Sequence, residues 1–355
     1  LIRVGILGCG RIARVHIPYI RAYQNAQIVG VVDVNRGQAE ALAKQYGIPA
    51  VYGDLTALLH EGRPDVVHIV TPPQTHADLA IAAMEAGVHV LVEKPMAVNA
   101  GEAEKMVHTA RRLGVHLVVD HNRLFDPVVI QARDMVVNGV LGDVVGVEAF
   151  QGFSHTEGRT VYYGPSGTER HWAFGLPGGI LQNFAPHSVS LFLGFLPDAR
   201  CVSVARRQTG SLPDVPAEEV RMLFEGSTGL GSLTFSLTPK PYLNFLNLYG
   251  SEGSVSLNLN NMTLTHYRES RRLPKVVAKT WFNVDLSLQL LRSTFNTGMQ
   301  VLTRKMSNYP GIRGLVHRFY ACIEGAGSPP VTPEEGLDVV RVLDLLCQPA
   351  TEVKA

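Results

Sequence analysis

Val4-Gly5-Ile6-Leu7-Gly8-Cys9-Gly10-Arg11-Ile12-Ala13 decides the fold. An apolar strand runs directly into a Gly-x-Gly turn and then into an amphipathic stretch, Ile12 to Ala22. Gly8 permits the tight turn, and Gly10 lets the backbone approach a pyrophosphate. Ala13 stands in the place of a third glycine and still allows close helix–strand packing. Unpaired N–H groups at the helix start, together with the macrodipole, favour an anion there. Asp33 ends the second strand about 20 residues further on, where a carboxylate can accept hydrogen bonds from ribose hydroxyls and repel a 2′-phosphate. The predicted cofactor is therefore NAD, with NADP less favoured. Arg36 tempers that preference, because a guanidinium three residues on can hold a 2′-phosphate. Arg11 and Ile12, which open the helix, join Gly8, Gly10, Asp33 and Arg36 as predicted cofactor-binding residues.

Outward from this turn, short apolar runs at Val4–Leu7, Ile28–Val32, Val66–Val70, Val88–Val92 and His116–Val119 read as strands of a parallel sheet buried on both faces. Helical patterns lie between them: Ile12 to Ala22, Gln38 to Tyr46, Thr75 to Ala86 and Gly101 to Leu113. This alternation predicts an N-terminal Rossmann domain, a doubly wound parallel sheet, over residues 1–122. Past Asn122 the rhythm changes. Pro127 to Val137 reads as a helix and Gly142–Phe150 as a strand, followed by a long loop to Gly179. Alternating strands then follow at Cys201–Arg206, Glu219–Phe224, Gly229–Leu237, Asn244–Tyr249 and Ser254–Leu259. They predict a C-terminal α/β domain, residues 123–355, with a large, mostly antiparallel open sheet. A helical insertion is expected at about 270–310, and the two closing helices are free to pack back on the Rossmann domain.

Composition narrows the function. The chain has 355 residues, 46% hydrophobic and 18% charged, enough for packed cores and unlike a disordered chain. Lys+Arg 32 against Asp+Glu 31 leaves a net charge of +1, without the basic footprint of a nucleic-acid or membrane-surface protein. No apolar run is long enough to span a bilayer, and the strand-like first residues leave no room for a secretory signal. Cys9, Cys201, Cys322 and Cys347 show neither pairing nor metal-ligand spacing, so no metal is predicted and a cytoplasmic location is expected.

Two further segments sit after strands. Thr71-Pro72-Pro73-Gln74-Thr75-His76 follows one, and Val92-Glu93-Lys94-Pro95-Met96-Ala97 follows the next. With the Gly8 turn they resemble the glucose–fructose oxidoreductase, inositol dehydrogenase and rhizopine catabolism family, Gfo/Idh/MocA. The resemblance continues through Asn122-Arg123-Leu124-Phe125-Asp126-Pro127, Gly178-Gly179-Ile180-Leu181 leading to His187, Gly250-Ser251-Glu252-Gly253 and Thr332-Pro333-Glu334-Glu335-Gly336. It implies a Rossmann domain followed by an α/β domain whose sheet mediates a homodimer or homotetramer. It also implies that Lys94 is catalytic, stabilising the reacting oxygen as hydride leaves carbon, and that Pro95 follows a cis bond. His187 is implied as the second catalytic group, relaying the hydroxyl proton. The family aspartates are replaced by Asn183 and Ser190, so the usual negative charge near the histidine is missing. Thr71, Pro72, Pro73, His76 and Glu93 are implied around the cofactor. Asn183, Asn122, Arg123, His155, Tyr163, Arg170, His171 and Trp172 are expected to face substrate.

These residues predict an NAD-dependent oxidoreductase acting on a secondary hydroxyl, or its ketone, in a sugar, sugar acid, cyclitol or related polyol. A redox-neutral glycosidase working by transient oxidation and elimination is the alternative reading. A non-enzymatic dinucleotide-binding sensor is the third.

Overall fold

A computed structural model of the chain describes residues 1–154, 172–208, 210, 215–268, 274–303 and 309–348. Two compact units emerge, Leu1–Asn122 with Gly311–Asp344, and Arg123–Pro310 with Leu345–Ala355. The two closing helices, Pro310–Ile323 and Pro333–Cys347, are therefore grouped almost wholly with the first unit.

In the first unit, β1 (Ile2–Leu7), β2 (Ala26–Val32), β3 (Val51–Tyr52), β4 (Val66–Ile69), β5 (His89–Val92) and β6 (Leu117–Val119) form one sheet in the order β3-β2-β1-β4-β5-β6. Every pairing in it is parallel, the doubly wound Rossmann arrangement. β1, β4, β5 and β6 are almost wholly buried, as their unbroken apolar character requires. Helices α1 (Arg11–Arg21), α2 (Arg36–Tyr46), α3 (His76–Glu85) and α4 (Ala100–Leu113) connect them. The Asn35 side chain caps α2, and the Asn99 side chain caps α4. β3 and the short helical turns from Leu55 to Gly62 are absent from the sequence reading, being too short for either periodicity to register.

The second unit holds α5 (Pro127–Val137) and β7 (Val144–Gly152), then α6 (Gly179–Leu193), then β8 (Arg200–Arg207), β9 (Glu219–Glu225), β10 (Leu230–Ser236), β11 (Leu243–Gly250), β12 (Ser254–Asn258) and β13 (Thr263–Tyr267). The seven strands run in the order β13-β12-β11-β7-β10-β9-β8. All neighbours are antiparallel except β7 and β10, which pair in parallel from Gly146/Leu230 to Gly152/Ser236. One face is apolar and lies under α6. A Cβ on Gly231 would sit 2.4 Å from Phe192, so glycine lets that helix approach the sheet closely. Phe192 stacks near Phe224 at 4.8 Å, and Phe184 meets Phe235 edge-on at 6.2 Å. The expected insertion is a single 28-residue helix, α7 (Lys275–Leu302), laid along β13.

Candidate functional site

The glycine turn is built as the sequence demands. Gly8 has φ of 94°, and a Cβ there would meet the Val70 carbonyl at 2.9 Å. Gly10 differs. Its φ of −74° is open to any residue, and a Cβ would find only the Gln38 side chain, at 3.8 Å. Nothing among the described residues requires glycine at position 10, which fits a backbone kept bare for an approaching pyrophosphate. No side chain caps the start of α1, so its first N–H groups remain available to an anion. Asp33 braces the turn by accepting the Cys9 N–H at 2.6 Å and the Asn35 N–H at 2.8 Å. A carboxylate has further lone pairs for ribose hydroxyls. Burial first, then the Asp33 charge, pushes the Cys9 thiol up to about 12, so it is an inert packing group. Exposed Arg36 is turned to Glu40 at 2.8 Å.

At the carboxyl ends of the neighbouring strands, the Lys94–Pro95 peptide is cis. Glu93 accepts the Lys94 backbone N–H at 3.2 Å. His76 is fully buried, with Nδ1 2.9 Å from the Pro95 carbonyl and Nε2 2.9 Å from the Thr71 carbonyl. Burial lowers its pKa. His76, predicted to line the cofactor, sits between the Thr71–Thr75 turn and the Lys94–Pro95 turn, and as a neutral imidazole it donates its one N–H to one of these two carbonyls. The Thr71 and Thr75 hydroxyls are 2.7 Å apart within the first of these turns.

Beneath them lies a charged cluster that the sequence reading missed. His16 Nε2, on α1, is 3.3 Å from Glu93 and 3.1 Å from Asp120, and both its nitrogens are buried. Burial opposes the imidazolium, but hydrogen bonds and charge from Asp120 and Glu93 outweigh it and raise the pKa to about 9. Burial also raises Glu93, while Asp120, despite its burial, is lowered by His16. On its other side His16 Nδ1 lies 3.1 Å from His68 Nδ1, and His68 Nε2 lies 2.8 Å from the Tyr320 hydroxyl. His68 is held well below the ordinary range by burial and by the His16 charge. These charges assign the protons: His16 donates from both nitrogens, and neutral His68 accepts at Nδ1 and donates from Nε2. His16, Glu93 and Asp120 place one ligand atom each within 4.8 Å, a donor set that could hold a divalent cation once the imidazole proton is lost.

His121 was also missed. β5 and β6 pair Val92 with Val119, so Lys94 and His121 each stand two residues past the same rung. His121 is 1% exposed, and neither ring nitrogen has a hydrogen-bond partner among the described residues. Burial holds its pKa down to about 4, with Glu93 pulling up and Lys94 down. The signal was present in Leu117-Val118-Val119-Asp120-His121, where an apolar run ends on two polar residues at a strand's carboxyl edge.

In the second unit, α6 is buried at every position from Gly179 to Phe192 except Asn183 and His187. Their i, i+4 spacing puts both on the one open stripe of the helix. Gln182 accepts the Gly178 N–H at 3.0 Å and closes the helix start. Ser190 is buried and donates to the His187 carbonyl at 3.0 Å, so it faces its own backbone. Arg123 is 3.6 Å from Asp126 and reaches the Leu259 carbonyl at 3.5 Å, a structural anchor within this unit. Trp172 is 40% exposed in a short 3-10 turn. His155, Tyr163, Arg170 and His171 lie outside the described residues. No helix among the described residues is long and apolar enough to cross a membrane.

Comparison with known proteins converges on this reading. The model of the oxidoreductase family with an NAD-binding Rossmann fold, Gfo/Idh/MocA, matches residues 2–121. D-glucoside 3-dehydrogenase of Escherichia coli (strain K12) is 40% identical over 144 residues, 40% of this chain. That match spans 41% of the Escherichia coli protein, less than half its length. D-xylose 1-dehydrogenase (NADP(+)) 2 of Haloferax volcanii is 26% identical over 98% of this chain and 96% of its own. The WlbA dehydrogenase of Bordetella pertussis, solved with NADH and UDP-GlcNAcA, shares the fold with a TM-score of 0.76 at 21% identity, over 97% of this chain and 94% of that one.

Two predictions follow from the first unit's geometry. Gly10→Ala should fold with stability changed by no more than about 0.5 kcal/mol, yet bind NAD about tenfold or more weakly. Gly8→Ala should cost about 1–3 kcal/mol, and urea melts with NAD titrations separate the two. The raised His16 pKa means that its ion pairs contribute fully below the ordinary histidine value of 6.5 and are lost as pH climbs to about 9. The urea midpoint should fall across that interval, and His16→Gln should flatten the slope.

Proposed function

We propose that the chain, whose residues 2–121 match the Gfo/Idh/MocA oxidoreductase family, is an NAD-dependent dehydrogenase of a secondary hydroxyl in a sugar, sugar acid, cyclitol or related polyol. The observation that carries the reading is in the first unit. A braced glycine turn with a bare Gly10 shares one sheet edge with Lys94, and Lys94 is backed by a buried cluster that holds its strand end in place. Several curated relatives are named as dehydrogenases of sugars or cyclitols, which supports net oxidation over the elimination and sensor readings.

Gly8, Gly10 and the first N–H groups of α1 would hold the dinucleotide phosphates, and Asp33 the adenosine ribose. When bound, the nicotinamide supplies the acceptor for hydride. The chain's own residues do the rest. The Lys94 ammonium donates a hydrogen bond to the substrate oxygen and stabilises its developing negative charge. The His187 imidazole takes the hydroxyl proton. Asn183, one turn earlier on the same stripe, orients a neighbouring hydroxyl. His121, neutral and with one donor and one acceptor unspent, suits a ligand group that itself carries both, such as a carboxamide or a hydroxyl. α6 contains no Asp or Glu, so it sets no like-charge penalty against a substrate carboxylate, which favours the sugar-acid end of the range. Asp33 favours NAD over NADP, and exposed Arg36 is paired with Glu40. A cytoplasmic homodimer or homotetramer completes the proposal; Val202, Leu223 and Leu230, half exposed or more on the outer face of the seven-stranded sheet, are its contact surface.

Nicotinamide absorbance with NAD or NADP, across a panel of sugars, sugar acids and cyclitols, tests the activity. Turnover with one class, lost in Lys94→Met while NAD still binds, is the expected result. Silence across the panel despite tight NAD binding would sink the dehydrogenase reading for those compounds. His121→Leu should raise the unfolding free energy from urea melts by about 1 kcal/mol, because it removes a buried unsatisfied group. It should also weaken NAD or raise the substrate KM; a loss of stability with unchanged binding would make His121 a packing residue instead.

A further inference from the structure

α7 carries more exposed apolar surface than any other described helix. Val277, Trp281, Val284, Leu288, Leu291, Phe295 and Leu302 are 50%, 51%, 42%, 55%, 66%, 69% and 78% exposed. They recur at alternating steps of four and three, with Gly298 filling the remaining place, which is the heptad repeat of a coiled-coil seam. The opposite side of the helix is already used. Gln289 accepts the His266 N–H at 2.7 Å and donates to the His266 carbonyl at 3.0 Å, closing the free edge of β13. Phe282 lies 6.0 Å from Tyr267, and Leu286, Ser293 and Thr297 are half-buried on the same side. At about 100° per residue, this inner face and the heptad seam lie about 180° apart on the helix. The helix is therefore apolar on two opposed faces, and only one of them is covered by its own unit.

We propose that the outer face of α7 is covered by α7 of a second copy, in an antiparallel two-helix coiled coil about a two-fold axis. Side-chain sizes choose the direction. An antiparallel pairing that sets Leu288 against the partner's Leu291 also sets Val284 against the partner's Phe295, Val277 against the partner's Leu302, and Trp281 against the partner's Gly298. The largest side chain of the seam then meets the one position without a side chain. A parallel pairing would stack Trp281 on its own copy and leave a hole at Gly298. Charge agrees with size: Asp285 already pairs with Arg268 at 3.4 Å in its own chain, and the antiparallel register also brings it alongside the partner's Arg292 at the flank of the seam, whereas the parallel one leaves Arg292 without a carboxylate beside it. The contact is isologous and closed, so it doubles the assembly without propagating. It is separate from the outer face of the seven-stranded sheet.

The test is the solution mass of the full chain by light scattering, compared with Leu288→Lys/Leu291→Lys. The mass should fall twofold in the variant with NAD binding unchanged, since both positions are exposed and outside the site. A second measurement reads direction: chains carrying Val284→Cys and Phe295→Cys, in a Cys201→Ser/Cys347→Ser background, are oxidised separately and as a mixture. A covalent dimer forming chiefly in the mixture supports the antiparallel register; equal cross-linking of each chain alone overturns it. A monomeric wild type, or a mass unchanged by the two lysines, overturns the pairing altogether. Flotation of a monomeric chain with anionic phospholipid vesicles, lost in the lysine variant, would overturn it in favour of a membrane surface.

Discussion

The first unit is organised around one buried ion cluster, an imidazolium on α1 lodged between carboxylates from the ends of β5 and β6. Removing three ionisable groups from water is costly unless each finds a partner of opposite charge at hydrogen-bond range. His16 meets that condition at 3.3 Å from Glu93 and 3.1 Å from Asp120. Each partner stands immediately beside a residue of chemical interest: Glu93 precedes Lys94, and Asp120 precedes His121. The helix that begins at the phosphate-cradling turn is thereby tied to the two strand ends where Lys94 and His121 emerge. The cluster fixes the glycine turn relative to the ends of β5 and β6, where the proposed dinucleotide and substrate-oxygen groups stand.

The ordering of protons extends the same constraint through the core. A charged His16 must donate from both nitrogens, so His68 can only accept from it, and the remaining His68 proton must point at Tyr320. Tyr320 lies on the helix Pro310–Ile323, more than 250 positions from His68, yet both belong to the first unit. The late helix is thus keyed to the sheet by polarity as well as by packing. A slip of one residue in α1, in β4 or in that helix would leave a buried donor or acceptor unpaired.

Some of this could be read in the chain and some could not, for physical reasons. The parallel sheet was legible because strands buried on both faces are apolar at nearly every position and are separated by amphipathic helices. The strands of the second unit were legible from alternation, down to β12. β13, Thr-Leu-Thr-His-Tyr, escaped because an edge strand capped by a helix need not be apolar on either face. The glycine turn and Lys94 carry local signatures, since their conformations depend on adjacent residues. His16, His68 and Asp120 carry none: a histidine inside an amphipathic helix and another inside an apolar strand acquire meaning only when long-range packing brings them together. His121 went unread beside the more familiar Asn122-Arg123 pair, although a polar residue closing an apolar strand is visible in one dimension.

The second unit solves its positioning problem by a different route. α6 has no acid, and it is held to the sheet by Phe184, Phe192 and the bare backbone of Gly231, with Ser188 donating to Gln151 of β7 at 2.7 Å. Packing of that kind is insensitive to charge, so the positions on the open stripe can change chemically without disturbing the helix. Asn183 in place of an aspartate, and Ser190 folded back onto the His187 carbonyl, are substitutions such a helix tolerates at little cost in stability. In the first unit the same exchange of a carboxylate for an amide would strand an imidazolium in the core. Side chains on the open stripe of α6 are therefore free to change, while the charged supports behind Lys94 are fixed by the energetics of burial.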